Sequence, residues 1–138
     1  MAQKVIHLEI ITPRQKAYSE EIDFLKAPAV DGLIGVLPDH APLVTALATG
    51  VLWIEKDEDK FPVSISKGFM EVQPDNINVV VRSAELPNDI DAERAREAKK
   101  RAEERLGTES DEIDRKRAEA ALERAEARIE AAEYDNIL

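Results

Sequence analysis

The chain has 138 residues, with 29 Asp and Glu against 19 Lys and Arg, a net charge of −10 and no cysteine. This composition excludes disulfides and thiolate metal sites, and it argues against nonspecific nucleic-acid binding and docking on anionic lipid. No apolar run approaches the roughly 20 residues of a membrane-spanning helix, and Met1 to Glu9 meets charge too early for a signal peptide, so a soluble protein is expected, with membership of a membrane-bound complex left open.

The chain opens on strand grammar. Ile6, Leu8 and Ile10 alternate with polar neighbours until Thr12-Pro13-Arg14-Gln15 breaks the run. Ile22-Asp23-Phe24-Leu25 comes next. Val51 to Ile54 enters a charged turn, Glu55 to Lys60, and returns as Phe61 to Ser66. Phe69 to Val72 ends at Gln73-Pro74-Asp75-Asn76 before Ile77 to Val81. Short apolar runs cut by Pro, Gly and Asp predict a β-sandwich or barrel over residues 1–87, long enough for a modest core.

All seven prolines lie at or before Pro87, and the rest of the chain is dense in Ala, Glu and Arg. Residues 88–138 read as two helices. Asn88 or Asp89 is the expected cap of the first, with Asp91 and Glu93 in its first turn. Ala95, Ala98, Ala102 and Leu106 form its stripe, and Gly107 is the expected left-handed stop. Thr108 or Ser110 is the expected cap of the second, whose stripe runs through Ile113, Ala118, Ala121, Ala125, Ile129 and Ala132. A short connection implies an antiparallel hairpin. Alanine seams bury little area, so a hairpin able to detach and one permanently docked both fit the composition.

Arg124 and Arg128 are the two cations after Pro87 that have no Asp or Glu three or four residues away, where helical neighbours lie. Arg94 and Arg101 share one helical face at a spacing of seven, as do Arg117 and Arg124, with Arg128 one turn on. Folding the hairpin can bring both stripes around one anion, for which guanidinium groups offer forked donors. Separate solvated faces are the competing reading, with Arg94, Arg101 and Arg117 paired to Asp91, Glu97 and Asp114.

Other constellations carry less. His7 and His40 lack the partners of a metal site or a catalytic triad and read as structural. No Gly-rich Lys loop and no dinucleotide fingerprint is present, so a bound nucleotide meets none of the usual hydrolysis machinery. No catalytic residue and no metal ligand is assigned.

Four segments stand out together: Ile11-Thr12-Pro13, the run from Gly32 to Leu43 (Gly-Leu-Ile-Gly-Val-Leu-Pro-Asp-His-Ala-Pro-Leu), the run from Ser66 to Val72 (Ser-Lys-Gly-Phe-Met-Glu-Val), and Ile90-Asp91-Ala92-Glu93-Arg94-Ala95. In this order they resemble a known family, the epsilon subunit of the bacterial and chloroplast F-type ATP synthase. The hexad is similar to the Ile/Leu-Asp-x-x-Arg-Ala motif of nucleotide-binding members. Asp39 departs from the family, in which many members carry glycine between the proline and the histidine.

The resemblance implies an α+β chain: an N-terminal antiparallel β-sandwich (1–87) followed by a C-terminal antiparallel two-helix hairpin (88–138). It also implies a non-catalytic place in the central stalk, bound to the gamma subunit and the c-subunit ring, coupling rotation to ATP synthesis and inhibiting ATP hydrolysis. The hairpin is expected to fold on the sandwich in one state and to extend toward the catalytic alpha and beta subunits in another. ATP is implied as a regulatory ligand of the folded state, with no resident cofactor and the role of Mg²⁺ open. The matching positions are Glu85, Ile90, Asp91, Arg94, Ala95, Arg101, Arg117, Arg124 and Arg128. Glu85 and Asp91 are expected to accept hydrogen bonds from the adenine amine or the ribose, Ile90 and Ala95 to pack on the base, and the arginines to neutralise phosphates. The implied location is peripheral, on the cytoplasmic face of a bacterial plasma membrane in preference to a thylakoid, with no direct membrane insertion and no nucleic-acid partner.

Overall fold

The computed structural model describes residues 4–108 and 111–134. Its strands are β1 (Ile6–Ile11), β2 (Lys16–Ile22), β3 (Phe24–Ala29), β4 (Gly32–Val36), β5 (Leu43–Leu47), β6 (Gly50–Lys56), β7 (Asp59–Ile65), β8 (Gly68–Val72), β9 (Asn76–Val81) and β10 (Ala84–Glu85). They hydrogen-bond in the order β10-β7-β6-β3-β5-β8-β9-β1-β2, with β4 paired to β3. The pairs are antiparallel apart from β1 with β9, which run parallel. Phe24 to Lys26 of β3 pair with β6, whereas Ala29 pairs with Leu47 of β5, so β3 carries the sheet from one layer to the other.

The alternation in β1 places Ile6, Leu8 and Ile10 in a core with Leu52, Ile54, Met70, Val72, Ile77 and Val79, all fully buried. The β6–β7 turn has positive φ at Asp57 (51°) and Glu58 (72°), the conformation that suits a two-residue hairpin loop. Asp23 accepts the Asp57 N–H at 3.0 Å and steadies that turn. Asp39, where many family members carry glycine, has φ of 67°. Aspartate tolerates this left-handed region better than most side chains, and its carboxylate takes Lys4 Nζ at 2.6 Å. Gly68 is required by close approach, because a Cβ there would strike the Val80 carbonyl oxygen and the backbone of Val81.

After a 3-10 turn, Pro87–Asp89, come α1 (Ala92–Thr108) and α2 (Glu112–Glu133). The caps differ from those expected at Asn88 or Asp89 and at Thr108 or Ser110. Asp91 Oδ1 accepts the Arg94 N–H at 3.1 Å. Asp111 Oδ1 accepts the N–H groups of Ile113 and Asp114 at 2.8 and 3.3 Å. Ser110 lies outside the described residues. Gly107 lies inside α1, and Gly32 is the glycine with positive φ among the described residues, so Gly107 is not the left-handed stop expected of it. Arg115 Nη1 donates to the Leu106 carbonyl at 2.8 Å, tying the last turn of α1 to α2.

The stripe expected on α2 is corrected as well. Ile113 is exposed, whereas Ala127 and Ala131 are buried beside Ala118 and Ala125. Ala118 and Ala125 share one face; Ala127, Ala131 and Tyr134 share another, at i, i+4 and i+7, and α2 packs on α1 as well as on the sheet. On that second face Tyr134 meets Trp53 of β6 edge-on, with ring centroids 6.1 Å apart. α2 also lies against β7. This explains why Val51 to Ile54 is apolar without alternation: Val51, Pro62 and Ser64 on the outward face are buried too. The hairpin is thus docked on the sandwich through α2.

Candidate functional site

A cavity of about 430 Å³ opens between the end of β10, the 3-10 turn, α1 and α2. Its lining brings together seven of the nine expected residues: Glu85, Ile90, Asp91, Arg94, Ala95, Arg101 and Arg128. Arg117 and Arg124 do not line it. Arg117 is exposed, 3.9 Å from Asp114, as the solvated-face reading had it. Arg124 is exposed and has no ion pair among the described residues. The five-arginine cradle is therefore a three-arginine cavity in the docked conformation.

Local structure explains the convergence. Asp91 spends one carboxylate oxygen capping α1, which fixes Ile90 and Asp91 at the cavity mouth. Arg94 lies one turn into α1 and Arg101 about 10 Å further along the axis. Helical side chains lean toward the N-terminus, so both guanidinium groups incline toward the cavity. Two further residues, Asp89 and Ala98, line it. Ala98 falls four residues after Arg94, a spacing that could have identified it.

The anion that meets Arg128 belongs to the protein. Arg128 Nε donates to Glu85 Oε1 at 2.6 Å, across 43 residues of chain. Both side chains are half-buried, at 38% and 29% exposed, where a charge-assisted bond is stronger than on an open surface. The cavity has a polarity: carboxylates gather where β10 enters α1, and Arg94 and Arg101 extend from there along α1. Such a site suits a ligand with hydrogen-bond donors at one end and anionic oxygens at the other, and its volume falls within the range of small-molecule pockets. Among the described residues no cluster of three or more His, Asp or Glu can hold a metal ion. His40 Nδ1 lies 2.7 Å from the Ala41 carbonyl, and His7 Nε2 lies 3.1 Å from the Ser19 hydroxyl.

A larger groove, about 820 Å³, lies elsewhere. It is floored by Ile11, Ala46, Phe69 and Val80 and flanked by Lys67 and Glu123. Phe69 is 62% exposed, and cross-strand pairing places it beside Ala46 and Val80 on one sheet face. Val44, 68% exposed, extends that face. A shallow apolar patch of this kind suits a protein surface rather than a polar ligand.

Two family models match the chain: the beta-sandwich domain of the ATP synthase delta/epsilon chain over residues 5–87, and its long alpha-helix domain over residues 88–133. The ATP synthase epsilon chain of Desulforamulus reducens is 51% identical over 111 residues, covering 80% of this chain and 84% of the relative. That of Bacillus subtilis is 40% identical over 111 residues, with the same coverage of 80% and 84%. Among solved structures, a chain of the Euglena gracilis mitochondrial ATP synthase, in an OSCP/F1/c-ring assembly, matches with a TM-score of 0.80 and 28% identity over 93% of this chain and 81% of that one. A chain from the central stalk and c-ring of the Tetrahymena thermophila mitochondrial enzyme shares the fold, with a TM-score of 0.60 and 11% identity over 96% and 99%.

Proposed function

Because the chain belongs to the epsilon-subunit family of F-type ATP synthases, non-catalytic components of the central stalk, we propose that its hairpin senses ATP while docked and, released when ATP is scarce, restrains ATP hydrolysis. The observation that carries this reading is the cavity beneath the hairpin, where Arg94, Arg101 and Arg128 meet the carboxylates of Glu85 and Asp91. The adenosine would lie toward Asp91 and Ile90, with the phosphates toward Arg94 and Arg101. Because α2 contributes Arg128, the complete site exists only while the hairpin is docked. ATP that binds this state alone stabilises it by RT ln(1 + [ATP]/Kd), about 2.7 kcal/mol at one hundred times Kd. Depletion of ATP removes that bias and frees the hairpin to extend toward the alpha and beta subunits.

The division of labour runs in chain order. Residues 1–87 are the docking unit for the gamma subunit and the c-subunit ring, and the exposed face around Val44, Phe69 and Val80 supports a protein partner there. Residues 88–138 are the regulatory unit. The subunit sits peripherally, on the cytoplasmic face of a bacterial plasma membrane; none of the described helices is long and apolar enough to cross a membrane. Arg117 and Arg124, outside the cavity lining, support a second role: contact with acidic catalytic-subunit surfaces when the hairpin is extended.

Calorimetric titration of the full chain with ATP, with and without Mg²⁺, tests the sensing role. Saturable binding is expected, weakened at least tenfold by Arg128→Ala and less by Arg124→Ala. Absence of saturable heat at millimolar ATP would refute sensing and leave family membership intact.

A further inference from the structure

The contact between Glu85 and Arg128 is one-sided. The carboxylate holds Nε alone, while a guanidinium carries five N–H donors in a rigid plane. Neither Nη group makes a hydrogen bond among the described residues, and Arg128 lines the cavity. Glu85 is itself fixed, because β10 pairs with β7 through Glu85 and Ser64. The ion pair joins the sandwich to the hairpin, and among the described residues the Trp53–Tyr134 contact joins them as well, on a helix whose buried residues are alanines.

We propose that Glu85 acts through Arg128, as a latch and a positioning residue. Without ligand it supplies the anion that keeps Arg128, and hence α2, against the sandwich. With ligand it keeps hold of Nε and presents the Nη pair to the phosphates. This role rests on the proposed ATP site and replaces the one expected for Glu85, an acceptor for the base or the ribose. A carboxylate already accepting a short charge-assisted bond is a poorer acceptor for a neutral amine or hydroxyl. An arginine held at one edge loses less conformational freedom when a phosphate arrives, so its hydrogen bonds cost less to form.

The test is a double-mutant cycle on the full chain with Glu85→Gln and Arg128→Gln, read in two ways. The first reading is the emission of Trp53, the only tryptophan, recorded without nucleotide; its contact with Tyr134 makes it a reporter of docking. Either substitution is expected to move the emission toward that of an exposed indole, and the double variant to go no further. Additive shifts would overturn the latch. The second reading is ATP affinity by calorimetry. Glu85→Gln is expected to lower it about tenfold, and to have no further effect once Arg128 is Gln. A latch alone lowers apparent affinity only by the fraction of chain left docked, so positioning predicts a loss larger than the Trp53 signal accounts for. A loss equal to that fraction, or one that persists in the Arg128→Gln background, would overturn positioning. If the unmodified chain binds no ATP, the sensing role and the positioning role both fail, and the Trp53 cycle still decides the latch.

Discussion

The sandwich and the hairpin are built from different materials. Apart from Ala27, the fully buried hydrophobic side chains of the sandwich are Ile, Leu, Met and Val, whereas the buried residues of the helices are all alanine: Ala95, Ala102, Ala118, Ala125, Ala127 and Ala131. Burying a large aliphatic side chain contributes roughly 1.5–3 kcal/mol, and a single methyl group about 0.8. The ladders of the sandwich also satisfy their backbone between strands, while each helix satisfies its own. Moving α2 away therefore breaks few large contacts and strands no backbone hydrogen bond. Among the described residues, the hairpin meets the sandwich through small buried alanines, the Trp53–Tyr134 ring contact and the Glu85–Arg128 ion pair. Weak attachment is what a ligand worth a few kcal/mol can control.

The sharpest way to break that contrast is to damage the sandwich alone. Gly68→Ala adds a Cβ that meets the Val80 carbonyl and the Val81 backbone, neither of which can rotate away. A loss of about 3 kcal/mol or more is expected in denaturant unfolding. The hairpin depends on the sandwich for its docking surface, so the Trp53 signal should be lost no later than the sandwich unfolds. A variant that kept full stability would show that the β8–β9 pairing yields more easily than its geometry implies.

The converse experiment moves the hairpin alone. Ala131 is fully buried, three residues before Tyr134 and so on the helix face that meets Trp53 of β6. Ala131→Leu adds three carbons where the helix rests on strands, and overpacking of this kind costs about 1–3 kcal/mol. The Trp53 emission should report release, while the denaturant midpoint of the sandwich stays within experimental error of the parent. Apparent ATP affinity should fall in step with the docked fraction. Loss of sandwich stability instead would mean that the two parts fold as one cooperative unit.

Legibility in the sequence divides along the same line. Strands with one wet face declare themselves, as Ile6, Leu8 and Ile10 do, and so does the turn between Ile54 and Phe61. The hexad from Ile90 to Ala95 is equally readable, because its parts act within one helical turn. The caps are not: Asn88, Asp89 and Asp91 crowd one helix start and Thr108, Ser110 and Asp111 the other, and their local preferences are nearly equal. The second buried face of α2 is hidden because alanine fills both faces. The lack of local carboxylates around Arg128 correctly signals a distant anion, yet nothing in helical spacing can name Glu85, which only tertiary folding brings near. Arg124 gives the same local signal and finds no partner among the described residues, so the pattern finds an unpaired arginine without saying what pairs it.

The smallest effect separates the two parts by pH. Tyr18 of β2 packs on Phe61, with ring centroids 6.0 Å apart, and its hydroxyl is buried without a hydrogen-bond partner among the described residues. Burial pushes its pKa up from the ordinary 10. In the unfolded chain the phenol ionises near pH 10 while the folded chain still holds the proton. The unfolded state then binds fewer protons, so stability falls as pH rises from about 10 to the folded value. Tyr18→Phe removes both the unsatisfied hydroxyl and that slope. At neutral pH a gain of at most about 1 kcal/mol is expected, and the advantage over the parent should grow above pH 10. Because Tyr18 lies on β2 of the sandwich and its ring packs on Phe61 of β7, Trp53-monitored docking at neutral pH should be the same in both chains. Parallel stability curves for variant and parent through the alkaline range would mean that the hydroxyl is solvated, and that this part of the sandwich is less closed than the packing of Tyr18 on Phe61 implies.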